Sequence, residues 1–335
     1  MKKPCEPVTG MVSEQGGRGG PMLQGLLGCR LDRRGFLGAA GCLGAGLVAT
    51  PPIALAGVLD KEGRLKIENQ STIKVAQVKV VPQKGELGLN HRVLMEVLAE
   101  IAREPKVDVA VTPEGFLDGY VSTEESVSGG DMKRFALDLE TSSYVKAVSR
   151  WARDKRCWVI LGCTRLENAC VYNTAAIINR EGNLVGAYDK LHLQTHDHKY
   201  TAGNHLNVYD SDFGLFGVMI CADRRWPETV RTLALKGAQV IFNPTYGMHN
   251  DLNLAMMRTR AYESELFIVF THPKQALITS PEGDVVLNDE DPSHRYSLTT
   301  IDLSIVPARR TSPSGHLKDL RRDVYSVERA VPDKR

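Results

Sequence analysis

Three side chains that can take part in covalent catalysis each follow a short apolar run. Glu114 follows "VDVAVTP", Lys190 follows "NLVGAYD" and Cys221 follows "FGVMI". A cysteine attacks carbon as its thiolate, so Cys221 needs a base or a positive field to become a nucleophile. Glu114 is the candidate base, and Lys190 is the candidate cation that stabilises the oxyanion of a tetrahedral intermediate. Because ligand-binding groups gather where the strands of an α/β sheet end, we expect the three side chains to meet there.

Short apolar strands alternate with amphipathic helices between residues 72 and 303, which predicts one sheet-centred α/β domain. Helices are predicted over residues 90–104, 142–156 and 252–265, and a further helix begins at Pro227. Strands are predicted over residues 72–81, 107–112, 157–163, 239–243 and 266–272, with two more around a turn within 171–193. Segments 280–286 and 296–303 are expected to pair as a closing hairpin.

The first 56 residues predict an export signal. Arg33 and Arg34 precede a Gly/Ala/Leu-rich stretch without charge, and Ala54-Leu55-Ala56 offers a cleavage site. This layout resembles a twin-arginine signal, with residues 57–71 as a linker. A membrane anchor is the alternative, but weak hydrophobicity and the pair at 51–52 (Pro-Pro) argue against it. We therefore expect a bacterial protein that the twin-arginine export machinery carries to the periplasm or the extracellular space.

Composition excludes several classes of protein. The chain has 335 residues, 42% of them hydrophobic, and a net charge of only +2, so no electrostatic case for nucleic-acid binding exists. Cys157, Cys163 and Cys170 lack an acid or lysine placed to activate them and are predicted to be structural.

Four histidines, His192, His196, His198 and His205, lie close together in the sequence and raise the possibility of a zinc site. They do not follow a known zinc-binding spacing. We therefore predict no metal.

Three motifs in order resemble the nitrilase superfamily of carbon-nitrogen hydrolases and its Glu-Lys-Cys triad. They are "TPEGF" around Glu114, "YDKLHL" around Lys190 and "GVMICADRRWPE" around Cys221, and the similarity covers residues 72–303. The resemblance implies a four-layer α-β-β-α sandwich that uses no metal or organic cofactor. It also implies a homodimer or larger homo-oligomer. The tail 304–335 has little apolar periodicity, and we expect it either to lie at a subunit interface or to stay loose.

The stretch "DRRWPE" (223–228) resembles the N-carbamoyl-D-amino-acid hydrolase branch, in which arginines after the nucleophile bind the substrate carboxylate. That role would fall to Arg224 and Arg225. A guanidinium suits it, because it can make two parallel hydrogen bonds to a carboxylate. The alternative is that one arginine pairs with Asp223 or Glu228 and holds the loop.

The sequence departs from the family pattern between the lysine and the cysteine. Many members have a second glutamate there, but residues 191–220 contain none. His196, Asp197 and His198 are the candidates for this part of the site, and we group them with the substrate-binding residues. The position of the amine and the pH dependence of the reaction are therefore open.

Together, these motifs predict a hydrolase of non-peptide carbon-nitrogen bonds that acts on a small amide or carbamoyl substrate through a thioester. A nitrilase, which forms a thioimidate with the same triad, is one alternative. An acyltransferase, in which an amine or alcohol replaces water, is another. The alternative outside enzymes is a secreted binding protein that keeps the triad but is catalytically silent.

Overall fold

The structure is a computed structural model that describes residues 58–59, 65–66 and 71–325. The predicted export signal, residues 1–56, lies outside the described residues. Val58–Leu59 (β1) and Leu65–Lys66 (β2) form an antiparallel pair within the predicted linker. None of the helices in the described ranges combines the length and the apolar character needed to cross a bilayer.

Residues 71–325 contain two six-stranded sheets and helices that cover them. The first half of this unit consists of β3 (Thr72–Val78), α1 (Leu87–Ile101), β4 (Val109–Val111), α2 (Ser143–Lys155), β5 (Trp158–Glu167), β6 (Cys170–Ile178) and β7 (Leu184–Asp189). The second half consists of β8 (Val208–Ser211), β9 (Gly214–Val218), α3 (Pro227–Leu235), β10 (Val240–Pro244), α4 (Asp251–Ser264), β11 (Phe267–His272), β12 (Gln275–Thr279), β13 (Val285–Asp289), β14 (Tyr296–Asp302) and α5 (Ile305–Thr311).

Each sheet has three parallel strands at its centre and antiparallel strands at its flanks. The first sheet has the order β14-β3-β4-β5-β6-β7, and β3, β4 and β5 are parallel. The second has the order β13-β12-β11-β10-β9-β8, and β9, β10 and β11 are parallel. The parallel strands place their carboxyl ends at one edge, where the connecting loops can build a site.

Three apolar clusters define the layers. One lies between the sheets and includes Val75 and Val111 of the first sheet and Val218 and Phe242 of the second. A second packs the opposite face of the first sheet against α1 and α2, and a third packs the second sheet against α3 and α4. The predicted four-layer α-β-β-α sandwich is therefore confirmed. Burial of these faces supplies most of the favourable free energy of folding.

The expected closing hairpin between segments 280–286 and 296–303 is wrong. β13 pairs with β12, a strand that the sequence analysis did not predict. β14 pairs along its whole length with β3 in the other sheet. An alternating pattern marks a strand but does not say which sheet it joins. By crossing over, β14 covers the otherwise unpaired edge of β3.

The segment after residue 303 packs onto the same unit. Val306 of α5 is fully buried in the cluster between the sheets, and Leu317 packs into the cluster beneath α3 and α4. The described part of the tail, up to residue 325, thus contributes to the core. Its expected place at a subunit interface stays a prediction.

Candidate active site

The turn after β4 carries Glu114 and is packed closely against β5. A Cβ atom on Gly162 would lie 2.1 Å from the carbonyl oxygen of Pro113, so this approach requires glycine. The Gly162 N–H also donates to Thr112 Oγ1 at 2.8 Å. Backbone contact with the neighbouring strand therefore fixes the direction in which Glu114 leaves the sheet.

Both oxygens of the buried Glu114 carboxylate are held. Oε1 accepts hydrogen bonds from Lys190 Nζ at 2.7 Å and from Asn173 Nδ2 at 2.8 Å. Oε2 accepts one from the backbone N–H of Tyr246 at 3.0 Å. The carboxylate is thus oriented by groups from both sheets.

Lys190 follows β7, and its buried ammonium lies between two carboxylates. Nζ donates to Glu114 Oε1 at 2.7 Å, to Asp197 Oδ2 at 2.6 Å and to the Tyr120 hydroxyl at 3.3 Å. Burial alone would lower the pKa of the amine, but its acidic neighbours Glu114, Cys221 and Asp197 outweigh this effect and raise the Lys190 pKa. The side chain therefore stays positively charged and can face developing negative charge.

Asp197 occupies the part of the site that the sequence left open. It comes from the short 3-10 helix Thr195–Lys199 and is fully buried. Its carboxylate accepts from Lys190 and also from the Tyr120 hydroxyl at 2.6 Å and the Gln194 N–H at 3.2 Å. The structure places Asp197 against the ammonium, where it holds Lys190 in position.

The two neighbouring histidines have different surroundings. His196 is exposed at the entrance of the cavity described below, and its Nε2 lies 2.9 Å from the Tyr120 hydroxyl. His198 is exposed and is not among the residues that line the cavity. Of the three candidates between the lysine and the cysteine, the structure thus brings Asp197 and His196 to the site, while His198 lies outside it.

Cys221 follows β9 and begins the 3-10 helix Cys221–Arg225. Its φ angle is +44°, in the left-handed region that non-glycine residues rarely adopt. Such a conformation costs roughly 1–3 kcal/mol and persists only where the surroundings hold it. Cys221 lines the cavity and is 8% exposed.

The strained turn is held by Asp223, which is fully buried. One carboxylate oxygen accepts from the Ile220 N–H at 3.0 Å and from the Tyr188 hydroxyl at 2.7 Å. The other accepts from the backbone N–H of His192 at 2.9 Å, and the His192 ring stacks on Trp226 at 3.9 Å. Asp223 thus joins the turn of the cysteine to the segment that follows β7.

A cavity of about 290 Å³ opens beside these groups, a size suited to a small molecule. Its lining residues are Tyr120, Thr123, Lys190, Gln194, Thr195, His196, Cys221, Ala222, Arg224, Arg225, Tyr246, Gly247 and Met248. Lys190 and Cys221 therefore face one space, and Glu114 lies directly behind the ammonium.

The two arginines after the cysteine differ in their surroundings. Arg224 is 1% exposed and donates to Asn253 Oδ1 at 2.6 Å and to the Met248 carbonyl at 2.8 Å. Arg225 is exposed at the cavity entrance and donates to Gln194 Oε1 at 2.7 Å. The expected loop-holding pair with Asp223 or Glu228 is not formed by either arginine among the described residues.

Arg260 of α4 supports the loop instead. It donates to the backbone carbonyls of Arg224 and Arg225 at 3.2 and 3.1 Å, and its charge is paired with Glu263 at 2.9 Å.

Two residues of the site were missed from the sequence. Tyr120 touches both Lys190 and Asp197, and burial together with nearby negative charge raises the pKa of its hydroxyl well above the usual value, so it remains a donor. Asn173 lies on β6 and orients Glu114. The sequence feature that could have indicated Asn173 is a polar residue within the otherwise largely apolar strand "VYNTAAII".

The histidines considered as zinc ligands turn to separate partners. His192 Nδ1 contacts Asp223 at 2.8 Å, His196 contacts Tyr120, and His205 contacts Asn204 at 2.9 Å. Within the described ranges, no group of three or more His, Cys, Asp or Glu side chains is placed to hold a metal ion.

A thiol and an ammonium that line one small cavity, with a carboxylate bound to the ammonium, are the groups needed for acyl transfer through a cysteine. The comparisons agree with this class. The carbon-nitrogen hydrolase family profile matches residues 74–310, more than half of the sequence, and the chain belongs to this family within the nitrilase superfamily. It is accordingly a hydrolase of carbon-nitrogen bonds.

Relatives in two organisms show the range of this family. The chain is 29% identical over 273 residues to a nitrilase of Pyrococcus abyssi, covering 76% of this chain and 99% of the relative. It is 26% identical over 193 residues to the N-carbamoylputrescine amidase of Arabidopsis thaliana, covering 48% and 64% of the two chains.

A solved structure shows the same fold. Saccharomyces cerevisiae Nit3, a member of branch 10 of the nitrilase superfamily, aligns with a TM-score of 0.62 and 22% identity, over 73% of this chain and 95% of that one. At this identity the likeness concerns the fold alone.

The loop between Glu114 and Tyr120 contains a buried carboxyl group with a displaced titration. Asp118 is fully buried, and its Oδ2 accepts from the Val121 N–H at 3.1 Å. Desolvation raises the pKa of Asp118 to about 6, although hydrogen bonds oppose the shift. The loop therefore contains a group whose ionisation opposes folding at neutral pH.

Asp118→Asn should remove this pH dependence. The folded-state pKa lies above the unfolded value of 3.8, so the stabilisation from the neutral form is complete below about pH 4 and is lost as pH rises through 6. The shift corresponds to about 3 kcal/mol of unfolding free energy at pH 8. Between pH 4.5 and pH 8, the free energy of unfolding measured with denaturant should change less for Asp118→Asn than for the native chain.

The matched control is Asp210→Asn, which removes an exposed carboxylate from β8. This variant should keep the native pH dependence of stability. If Asp118→Asn and Asp210→Asn behave alike, Asp118 does not carry the displaced titration.

Proposed function

We propose that the protein hydrolyses a small amide or N-carbamoyl compound through a thioester on Cys221. The observation that supports this most directly is that Lys190 and the strained Cys221 line one cavity, while the buried carboxylates of Glu114 and Asp197 bind the Lys190 ammonium. A charged cluster of this kind is expensive to bury, and removing one partner typically costs about 3–5 kcal/mol. The ammonium of this cluster lines the cavity, where it can stabilise negative charge that develops during a reaction.

In the first half of the proposed reaction, the Cys221 sulfur, whose proton has passed to Glu114, attacks the carbonyl carbon. The carbonyl π electrons move to oxygen, and the Lys190 ammonium stabilises the resulting oxyanion. Collapse of the tetrahedral intermediate breaks the carbon-nitrogen bond. Glu114 passes its proton to the leaving nitrogen, so that ammonia or an amine departs and a thioester remains.

In the second half, water takes the place of the leaving group. Glu114 removes a proton from this water, and the hydroxide attacks the thioester carbon beside the same ammonium. The carbon-sulfur bond then breaks, the proton returns to sulfur, and the acid leaves. One carboxylate serves both half-reactions, which fits a carboxylate whose two oxygens are held by hydrogen bonds.

The charge of the cavity lining favours a neutral or anionic substrate. Its residues in the described part of the chain include lysine and arginine but no aspartate or glutamate. Arg225 is exposed at the entrance and uses one donor on Gln194, which leaves others for a substrate carboxylate. We therefore place the carboxylate-binding role at Arg225. The similarity to the N-carbamoylputrescine amidase of Arabidopsis supports the carbamoyl class but does not specify the amine.

The same chemistry accommodates nitriles and acyl transfer, and the test must separate them. The full-length protein should release ammonia from a panel of simple amides and N-carbamoyl amino acids, and Cys221→Ala should release none while keeping the native thermal transition. The hydrolysis products and ammonia are measured together.

Each other result points to a different function. Turnover of nitriles alone indicates a nitrilase, and product formation only with an added amine or alcohol indicates an acyltransferase. Binding without any turnover indicates a silent binding protein. Unchanged turnover by Cys221→Ala contradicts the proposed nucleophile.

Arg225→Gln should raise KM for an N-carbamoyl amino acid by about 10-fold or more, because a bidentate charged contact is lost. The matched substrate is the corresponding N-carbamoyl amino amide, which lacks the carboxylate. Its KM should change little. Equal effects on both substrates would show that Arg225 does not recognise the acid.

We also propose that the twin-arginine route exports the protein as a folded homo-oligomer. Replacement of Arg33 and Arg34 together by lysine should leave the protein in the cytoplasm of a bacterial host, because the signal depends on the arginine pair. Fractionation and immunoblotting measure this. Accumulation of the double variant outside the cytoplasm at the native level would contradict the proposed route.

A further inference from the structure

The guanidinium of Arg224 is buried directly beside the proposed nucleophile. Its Nη1 lies 3.5 Å from Cys221 Sγ, while Nε donates to Asn253 Oδ1 and Nη2 donates to the Met248 carbonyl. The group also lies over the Phe270 ring, 5.3 Å from its centroid. Three sides of the guanidinium are therefore occupied, and the thiol is one of its three partners.

Arg224 has no carboxylate partner among the described residues. Its two oxygen acceptors, an amide and a backbone carbonyl, are neutral. A permanently charged guanidinium in a buried position is costly unless an anion compensates it. The remaining partner, Cys221, is the group in contact with Arg224 that can supply a negative charge.

Around Lys190 there is an excess of negative charge, whereas around Arg224 there is an excess of positive charge. Two buried carboxylates, Glu114 and Asp197, both accept from the single ammonium of Lys190. If Cys221 is neutral, this end has one anion in excess while the Arg224 end has one cation in excess. Transfer of one proton from sulfur to Glu114 balances both ends at once: Lys190 then pairs with Asp197, and Arg224 pairs with sulfur.

We propose that Arg224 is the counter-ion of the Cys221 thiolate, and that the resting site holds an ionised thiol and a protonated Glu114. In this step the sulfur-hydrogen bond breaks and an oxygen-hydrogen bond forms on Glu114, with no change in total charge. Glu114 Oε2 accepts one hydrogen bond within the described part of the chain and so has a lone pair for the proton.

This inference rests on the proposed role of Cys221 as nucleophile and goes further in two respects. It assigns the two consecutive arginines to different tasks, with Arg224 on the sulfur and Arg225 on the substrate. It also gives Asp197 a reason to be present, because Lys190 needs a counter-ion when Glu114 is neutral.

Several titratable or charged groups face Cys221 from the elements around it. Those that line the cavity with Cys221 are Tyr120, Lys190, His196, Arg224, Arg225 and Tyr246. Further from the sulfur, Glu114 and Asp197 bind the Lys190 ammonium, Asp223 accepts from the Ile220 N–H beside the turn, and His249 stacks on His272 of β11. His272 contributes no positive charge near neutrality, because burial and the neighbouring His249 lower its pKa to about 3.

The test is the pH dependence of alkylation of the full-length protein by iodoacetamide, a neutral reagent. The rate is followed on the peptide that contains Cys221 by mass spectrometry, which separates it from the other cysteines. The variants are Arg224→Gln, which removes the charge, Arg224→Lys, which keeps it, and Arg225→Gln, the adjacent exposed cation. Thermal unfolding of each variant verifies the fold.

Arg224→Gln should move the midpoint of the alkylation profile toward alkaline pH by about one to two units, or about 10- to 100-fold in thiolate fraction at fixed pH. Arg224→Lys should stay close to the native profile, and Arg225→Gln should change it little because water screens an exposed charge. A native midpoint in Arg224→Gln, or an equal shift in Arg224→Lys and Arg224→Gln, would overturn the proposal.

A measurement on the native chain covers the case in which the variants do not fold. The ultraviolet absorbance of the native protein minus that of Cys221→Ala at neutral pH should contain the thiolate band, and its absence overturns the proposal. Failure of the function is recognised separately. If Arg224→Gln shifts the alkylation profile but the native protein hydrolyses no amide, the ion pair is present and the proposed activity is wrong. If the native protein hydrolyses amides but Arg224→Gln leaves the alkylation profile unchanged, the activity is present and the ion pair is wrong.

Discussion

The ammonium of Lys190, buried between the carboxylates of Glu114 and Asp197, is the interaction on which the rest of the site depends. Its two contacts are 2.7 and 2.6 Å long, and all three side chains are fully buried. Desolvation of such a group is repaid only by close and complete hydrogen bonding. The surrounding donors therefore need defined positions. Asn173 and the Tyr246 N–H donate the further hydrogen bonds that Glu114 accepts, and the Tyr120 hydroxyl donates one to Asp197.

The two-sheet architecture explains how this cluster is assembled from distant parts of the chain. Glu114 and Lys190 follow strands of the first sheet, while Cys221 and Tyr246 follow strands of the second. An apolar cluster between the sheets fixes their relative position, and close packing allows little displacement. The strain at Cys221, with φ of +44°, is tolerated because Asp223 ties its turn back to the first sheet.

Apolar periodicity predicted a sheet-centred α/β domain and the three strand-end residues, because it is a local property, and the resemblance to the nitrilase superfamily implied the four layers. The partner strand of β14 was not predicted, since strand pairing depends on which edge is free in the folded sheets. The same limit applies to the site. Asp197 was one of three neighbouring candidates, and only the three-dimensional position of its 3-10 helix distinguishes it from His198. Arg224 and Arg225 are identical in type and adjacent, so burial alone separates them.

We infer that these charges serve covalent chemistry at one sulfur atom, that of Cys221. The most direct measurement is mass spectrometry of the full-length enzyme quenched in acid during turnover of an amide substrate. We expect a mass increase equal to the acyl group, located on the peptide that contains Cys221 and absent when the substrate is withheld. Turnover with no acyl adduct at Cys221, or with the adduct on another residue, would contradict it.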